Sequence, residues 1–185
     1  SVANLQIKKL YFLGQECHQE KYYVTSFTFL FFTIMALSDF DLVLFGGSGD
    51  LAMRKLLPAM YARERAKDLP ASARILCVGR HEMTQEEFLE AVNSTSKPHI
   101  SADTFDRAVW DTFCARIVYV HLDATDGATY HSLVAAARAG PAIARVFYLA
   151  TPPSLFAMIC HHLAQVGLAT SNSRVVLEKP LGRDL

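Results

Sequence analysis

Residues 46–52 read Gly46-Gly47-Ser48-Gly49-Asp50-Leu51-Ala52, and Gly47-x-Gly49-x-x-Ala52 has the G-x-G-x-x-A spacing of a dinucleotide-binding loop. The chemistry of that spacing is anion binding. Glycines permit a tight turn and let backbone N–H groups approach a pyrophosphate at a helix N-terminus. Ala52 is small enough for that helix to lie close on the preceding strand. The context matters more than the string, since an apolar run precedes it and a helical stretch follows. A glycine-rich turn that binds nothing is the duller alternative, and Asp50 also fits as a plain helix cap. A nucleotide-triphosphate P-loop is excluded, because no Gly-Lys-Ser/Thr follows at the required spacing.

A second chemical signal is Val78-Gly79-Arg80 at the end of the next apolar run. An NAD-selective domain has an acid there for the ribose 2′-OH. Arg80 instead offers a planar fork of donors suited to a 2′-phosphate, and the nearest acid in sequence, Glu82, lies past it. The pattern predicts NADP, although an arginine at a strand end is also commonly just solvated. Other chemistry is sparse. Cys17, Cys77, Cys114 and Cys160 make no close pair and no joint spacing with histidine, so no metal site is predicted; they read as thiols packed as small hydrophobes. His121 ends a strand and His161-His162 lies on a helix, both expected as surface or core positions.

The elements that must hold these residues alternate in type. Asp41-Leu42-Val43-Leu44-Phe45 is a continuous apolar run, as expected of a strand buried on both faces. A helix is predicted over about 50–67, with Pro58 inside it as a kink or a lost backbone hydrogen bond. Further strands are expected at 74–79, 116–122, 145–150 and 174–178. Helices are expected from the capping box Thr84-Gln85-Glu86-Glu87 to about Val92, and over about 103–114, 128–138 and 154–166. Strands separated by helices demand a parallel sheet with right-handed crossovers. The predicted fold class is therefore α/β, a Rossmann-like doubly wound parallel sheet in a single domain.

Residues 1–34 do not share this pattern. Tyr22-Tyr23-Val24-Thr25-Ser26-Phe27-Thr28-Phe29-Leu30-Phe31-Phe32-Thr33-Ile34 is an aromatic and apolar run, but 24–37 is shorter than the roughly 20 residues a membrane span needs. Lys8, Lys9 and Lys21 with Ala36 give a faint signal-peptide look, whereas Met35-Ala36-Leu37-Ser38 reads as a cytosolic start. The expectation is an extension at 1–34, disordered or translated from upstream sequence, joined to a binding domain at 35–185. A secretory or membrane segment and a genuine structural element are the alternatives. Lys plus Arg equals Asp plus Glu at 18 each in 185 residues, so no net basic field exists to hold nucleic acid.

Several of these strings fall in the order of one family. Gly46-Gly47-Ser48-Gly49-Asp50-Leu51-Ala52 is followed by Arg54-Lys55-Leu56-Leu57-Pro58, then by Val78-Gly79-Arg80. Next come Phe147-Tyr148-Leu149-Ala150-Thr151-Pro152-Pro153 and Glu178-Lys179-Pro180-Leu181-Gly182-Arg183-Asp184-Leu185. From about Asp41 onward the chain resembles the N-terminal cofactor domain of glucose-6-phosphate dehydrogenase. The resemblance implies that 46–53, including Met53, forms the NADP diphosphate loop and that Arg80 holds the 2′-phosphate. It implies that Tyr148 lies along the cofactor, and that Lys179, aimed by a cis Pro180, reaches both cofactor and sugar phosphate. It further implies oxidation of glucose 6-phosphate to 6-phospho-D-glucono-1,5-lactone with NADP, in the pentose phosphate pathway, by a cytoplasmic homo-oligomer. One departure stands out. The family's catalytic histidine lies in an Arg-x-Asp-His-Tyr-Leu-Gly-Lys string, and none of the seven histidines here has that setting. These residues alone are therefore expected to be inactive. A non-catalytic NADP(H)-binding module is the competing reading, and a form tethered to a membrane through 22–37 a third.

Overall fold

The computed structural model describes residues 23–24, 39–139 and 143–177. In chain order the strands are β1 (Tyr23–Val24), β2 (Phe40–Phe45), β3 (Arg74–Gly79), β4 (Ile117–His121), β5 (Ala144–Leu149) and β6 (Ser173–Leu177). The helices are α1 (Leu57–Arg65), α2 (Gln85–Thr95), α3 (Arg107–Cys114), α4 (Tyr130–Ala136) and α5 (Phe156–Gln165). The strands form one sheet in the order β1-β6-β5-β2-β3-β4, with every pair parallel. The chain winds from β2 to β3 and β4 on one side, then returns to β5 and β6 on the other. The order therefore reverses between β2 and β5. In an open α/β sheet that reversal leaves a crevice outside the carboxyl ends of the two strands, where ligands bind.

The apolar runs become strands because each residue has a face to bury. Leu42 and Leu44 pack with Leu57, Phe88, Trp110 and Phe113, while their neighbours Val43 and Phe45 pack with Tyr130, Leu133, Ile159 and Leu163. Successive side chains of a strand point to opposite faces, so β2 feeds two cores and needs apolar residues at every such position. The exception is Asp41, which has no exposed surface. Its carboxylate accepts from Arg74 Nε and Nη2 at 3.1 and 3.0 Å and from Arg138 Nε and backbone N at 2.9 and 3.0 Å. Four donors satisfy a buried charge that would otherwise be costly. This cluster ties the amino ends of β2 and β3 to the end of α4, opposite the crevice.

Several element boundaries differ from the sequence expectation, each for a local reason. The helix expected over 50–67 is not uniform, because Ala52–Leu56 is a π-helix and α1 follows it. Pro58 at the start of α1 has no N–H and crowds the preceding turn, which widens to let Leu57 N–H reach Ala52 O. The capping box at Thr84 is present in both halves, and α2 runs on to Thr95. Asp106, accepting from Val109 N at 3.0 Å, starts α3 later than expected and leaves Phe105 to pack against Tyr61. The fourth helix stops at Ala136 rather than Arg138, since Arg138 is taken up by Asp41. At one sheet edge, Gln85 copies a strand neighbour: its Nε2 donates to Ile117 O and its Oε1 accepts from Tyr119 N, both at 2.8 Å. At the other edge, two residues of the N-terminal stretch, Tyr23 and Val24, pair with Val175 and Val176.

Candidate functional site

The loop 46–50 leaves β2 at the reversal point and turns into the helix that leads to α1. Gly46 has φ +81°, a left-handed conformation that costs glycine little. A Cβ there would meet Ala150 O at 2.6 Å, so the turn lies directly on the end of β5. A Cβ on Gly47 would meet Cys77 Cα at 2.7 Å, and one on Gly49 would meet Gly46 O at 3.1 Å. Gly46 and Gly47 are thus required by contact with backbone, and Gly49 is closely crowded by it. Ala52 has no exposed surface and Met53 has 4%, so both hold the loop from the core side.

The donors are distributed differently from the sequence expectation. Gly46 N and Gly47 N both donate to Val78 O, at 3.0 and 2.9 Å, and Gly49 N donates to Gly46 O at 2.9 Å. The glycine amides therefore stabilise the loop internally. Met53 N–H closes the first turn onto Gly49 O at 3.0 Å. Among the described residues, the N–H groups of Ser48, Asp50 and Leu51, at the start of the helix, donate to no backbone carbonyl of a turn or loop and so remain for an anion. Ser48 and Leu51 are partly exposed and Gly49 and Asp50 exposed, and this opening faces solvent at a helix N-terminus. Asp50 itself pairs with Arg54 at 3.4 Å on the exposed side, a contact of little energetic weight.

Arg80 is exposed at the carboxyl end of β3, the strand next to the loop. Three residues with no expected part in the site support it. Gly79 is pinched between the loop and β4, since a Cβ there would meet Tyr119 Oη at 2.8 Å and Ser48 Oγ at 2.9 Å. The Tyr119 hydroxyl donates to His81 O while its ring stacks on Phe88 with centroids 4.6 Å apart, which fixes the backbone after Arg80. His121 places Nε2 3.1 Å from Arg80 O. Asp123 is an acid near Arg80 that sequence order hides. Hydrogen bonds from Thr125 N and Oγ1 hold its carboxyl below the usual carboxylate range, with smaller contributions from Arg80 and His121. Only the register of β3 with β4 brings these groups to Arg80.

Beside the loop, a cavity of about 480 Å³ opens toward α2, lined by Ser48, Asp50, Met53, His81, Met83 and Phe88 among others. Tyr148 has no exposed surface and belongs to the same core as Ala52 and Met53, so its ring lies beneath the loop helix. Lys179 and Pro180 lie outside the described residues. Cys77 is fully buried under Gly47, and burial raises its thiol far above the ordinary range. His161 is exposed, and His162 packs against Tyr130 with rings 4.9 Å apart, on the other side of the sheet from α1. Among the described residues no cluster of histidine, cysteine and carboxylate is arranged to hold a metal, and no helix is long and apolar enough to cross a membrane.

Residues 43–185 match the model of the family described as "Glucose-6-phosphate dehydrogenase, NAD binding domain". A glucose-6-phosphate 1-dehydrogenase of Mycolicibacterium smegmatis is 42% identical over 149 residues, covering 78% of this chain and 30% of that protein. One from Rhizobium meliloti is 36% identical over 152 residues, covering 82% of this chain and 31% of that protein. Among solved structures, glucose-6-phosphate 1-dehydrogenase from Mycobacterium avium superposes with a TM-score of 0.70 at 35% identity, over 80% of this chain and 31% of that one. A glucose-6-phosphate dehydrogenase solved with its substrate glucose 6-phosphate gives a TM-score of 0.69 at 28% identity, over 80% of this chain and 31% of that one. This chain thus spans about 30% of the length of these relatives.

Proposed function

This chain belongs to the glucose-6-phosphate dehydrogenase family over its dinucleotide-binding domain, and on that premise we propose that it is the cofactor-binding part of an enzyme oxidising glucose 6-phosphate with NADP. The observation that carries the reading is the glycine loop seated on Ala150 and Cys77 at the strand-order reversal, with Arg80 beside it. A dinucleotide laid across these strand ends has its pyrophosphate at Ser48, Asp50 and Leu51 and its adenosine 2′-phosphate at Arg80. The charge-assisted contact to Arg80 favours NADP over NAD, and Asp123 tempers that preference by drawing on the same guanidinium.

Bound nicotinamide supplies the hydride acceptor for C1 of the sugar. The residues of this chain bind and orient it: the loop fixes the diphosphate, Arg80 fixes the register along the crevice, and Tyr148 supports the loop helix from the core. Lys179 follows β6 by two positions, and β6 is the strand beyond β5. We read it as the contact to cofactor and sugar phosphate that the family resemblance implies. Proton removal from the C1 hydroxyl needs a base, and no histidine here stands in the family's string. These 185 residues therefore hold the cofactor without completing the reaction. We read 35–185 as the binding unit, and homo-oligomer assembly as a property of full-length members of the family. The test is amide hydrogen exchange with and without NADP. Slowed exchange at Ser48, Asp50 and Leu51 supports the reading, and unchanged exchange there contradicts it.

A further inference from the structure

The Thr151 hydroxyl is a buried polar group without a hydrogen-bond partner among the described residues. A buried hydroxyl left unsatisfied costs stability, and such groups are rare enough in native structures to need an explanation. Thr151 stands two residues beyond the end of β5, across the reversal point from the loop. Its Cγ2 lies 3.6 Å from where a Cβ of Gly46 would be. The side chain is only partly buried although the oxygen is covered. One 120° step about χ1 moves the hydroxyl into the place the methyl group held, so the oxygen can turn toward the crevice without any backbone change.

The strand order β5-β2-β3 decides what it would meet there. Arg80 and Thr151 flank the loop on opposite sides, at the ends of β3 and β5. If the 2′-phosphate lies at Arg80 and the diphosphate on the loop, the other half of the dinucleotide must extend past Gly46 toward β5. We propose that Thr151 is a positioning residue for the nicotinamide-side half of the dinucleotide, its Oγ1 hydrogen-bonding a ribose hydroxyl or phosphate oxygen there. This rests on the dinucleotide reading of the loop. It assigns Thr151 a polar role that its place between Ala150 and Pro152 in an apolar string does not suggest.

The experiment compares the wild-type chain with Thr151→Val and Thr151→Ser by calorimetric titration with NADP and with adenosine 2′,5′-bisphosphate, which has the adenosine half only. Thr151→Val should weaken NADP roughly three- to tenfold, the worth of one neutral hydrogen bond, and leave the bisphosphate unchanged. Thr151→Ser should restore NADP affinity. Without nucleotide, Thr151→Val should melt higher by roughly 2–4 °C, because a methyl group replaces an unsatisfied hydroxyl. Unchanged NADP affinity in Thr151→Val would overturn the proposal. Equal weakening of both ligands would also overturn it, since that marks a displaced loop. Failure of the wild-type chain to bind either ligand would refute the dinucleotide reading itself rather than the role of Thr151.

Discussion

A Cβ on Gly47 would lie 2.7 Å from Cys77 Cα, so the loop rests on the backbone of β3 with no room for a side chain. Backbone cannot yield as the tip of a flexible side chain can. Gly47→Ala should therefore displace the loop, costing about 1–3 kcal/mol of stability by overpacking. The amides of Ser48, Asp50 and Leu51 would move with it. Losing one charge-assisted hydrogen bond to a diphosphate is worth about tenfold to a hundredfold in affinity. Calorimetric titration and a urea melt check both effects, and an alanine variant with wild-type nucleotide affinity would show that the loop does not hold the ligand.

The Asp41 cluster predicts how stability depends on pH. Burial alone would raise the Asp41 carboxyl, but hydrogen bonds from Arg74 and from Arg138 outweigh it and hold the carboxyl below its ordinary value of 3.8. A carboxyl lowered by folding contributes stability above its unfolded value and loses it as pH falls through the folded one. The chain should therefore be stable above about pH 5 and weaken progressively below about pH 4. Asp41→Asn leaves Arg74 and Arg138 without their shared counter-charge and should cost about 3 kcal/mol near neutrality. The gap between variant and wild type should narrow in acid. Urea melts across pH measure it, and a gap that stays constant down to pH ~3 would contradict the role given to Asp41.

Much of the scaffold was legible because buried parallel strands are apolar at nearly every position. β2, β3, β5 and β6 fall within a residue of the runs read from sequence, and Thr84 opens its helix as the capping box predicts. The glycine loop was legible for a related reason: its spacing encodes close backbone contacts. What stayed hidden depends on tertiary register. Asp123, Tyr119 and His121 reach the Arg80 segment only because β4 lies beside β3, and nothing local announces that. In sequence Asp41 is only the first residue of an apolar run, whereas two arginines from distant segments cover its carboxylate completely. Tyr148 sits in an alternating strand, and only the sheet decides that its ring faces the core under Ala52.

Deleting residues 1–34 should leave nucleotide affinity within about twofold of the full chain, a change under about 0.4 kcal/mol. Every described contact that shapes the crevice comes from β2 onward, between Phe45 and Thr151. The deletion does remove the Tyr23–Val24 pairing and bares the outer edge of β6. An unpaired edge promotes association between chains rather than a change in the crevice. Parallel titration and sedimentation of the two forms separate these effects. A large loss of affinity with no change in association state would place the N-terminal stretch at the site.

A crevice that holds a dinucleotide through the loop and selects NADP through Arg80 must discriminate between the two cofactors. The most direct measurement is the ratio of NAD to NADP dissociation constants, by calorimetry, for the wild-type chain and Arg80→Ala. A guanidinium–phosphate contact is worth about 1.5–3 kcal/mol, so the wild-type chain should prefer NADP by roughly tenfold to a hundredfold. Arg80→Ala should bring the ratio close to one by weakening NADP while leaving NAD nearly untouched. Equal affinities in the wild-type chain, or a preference that survives the loss of Arg80, would contradict the account.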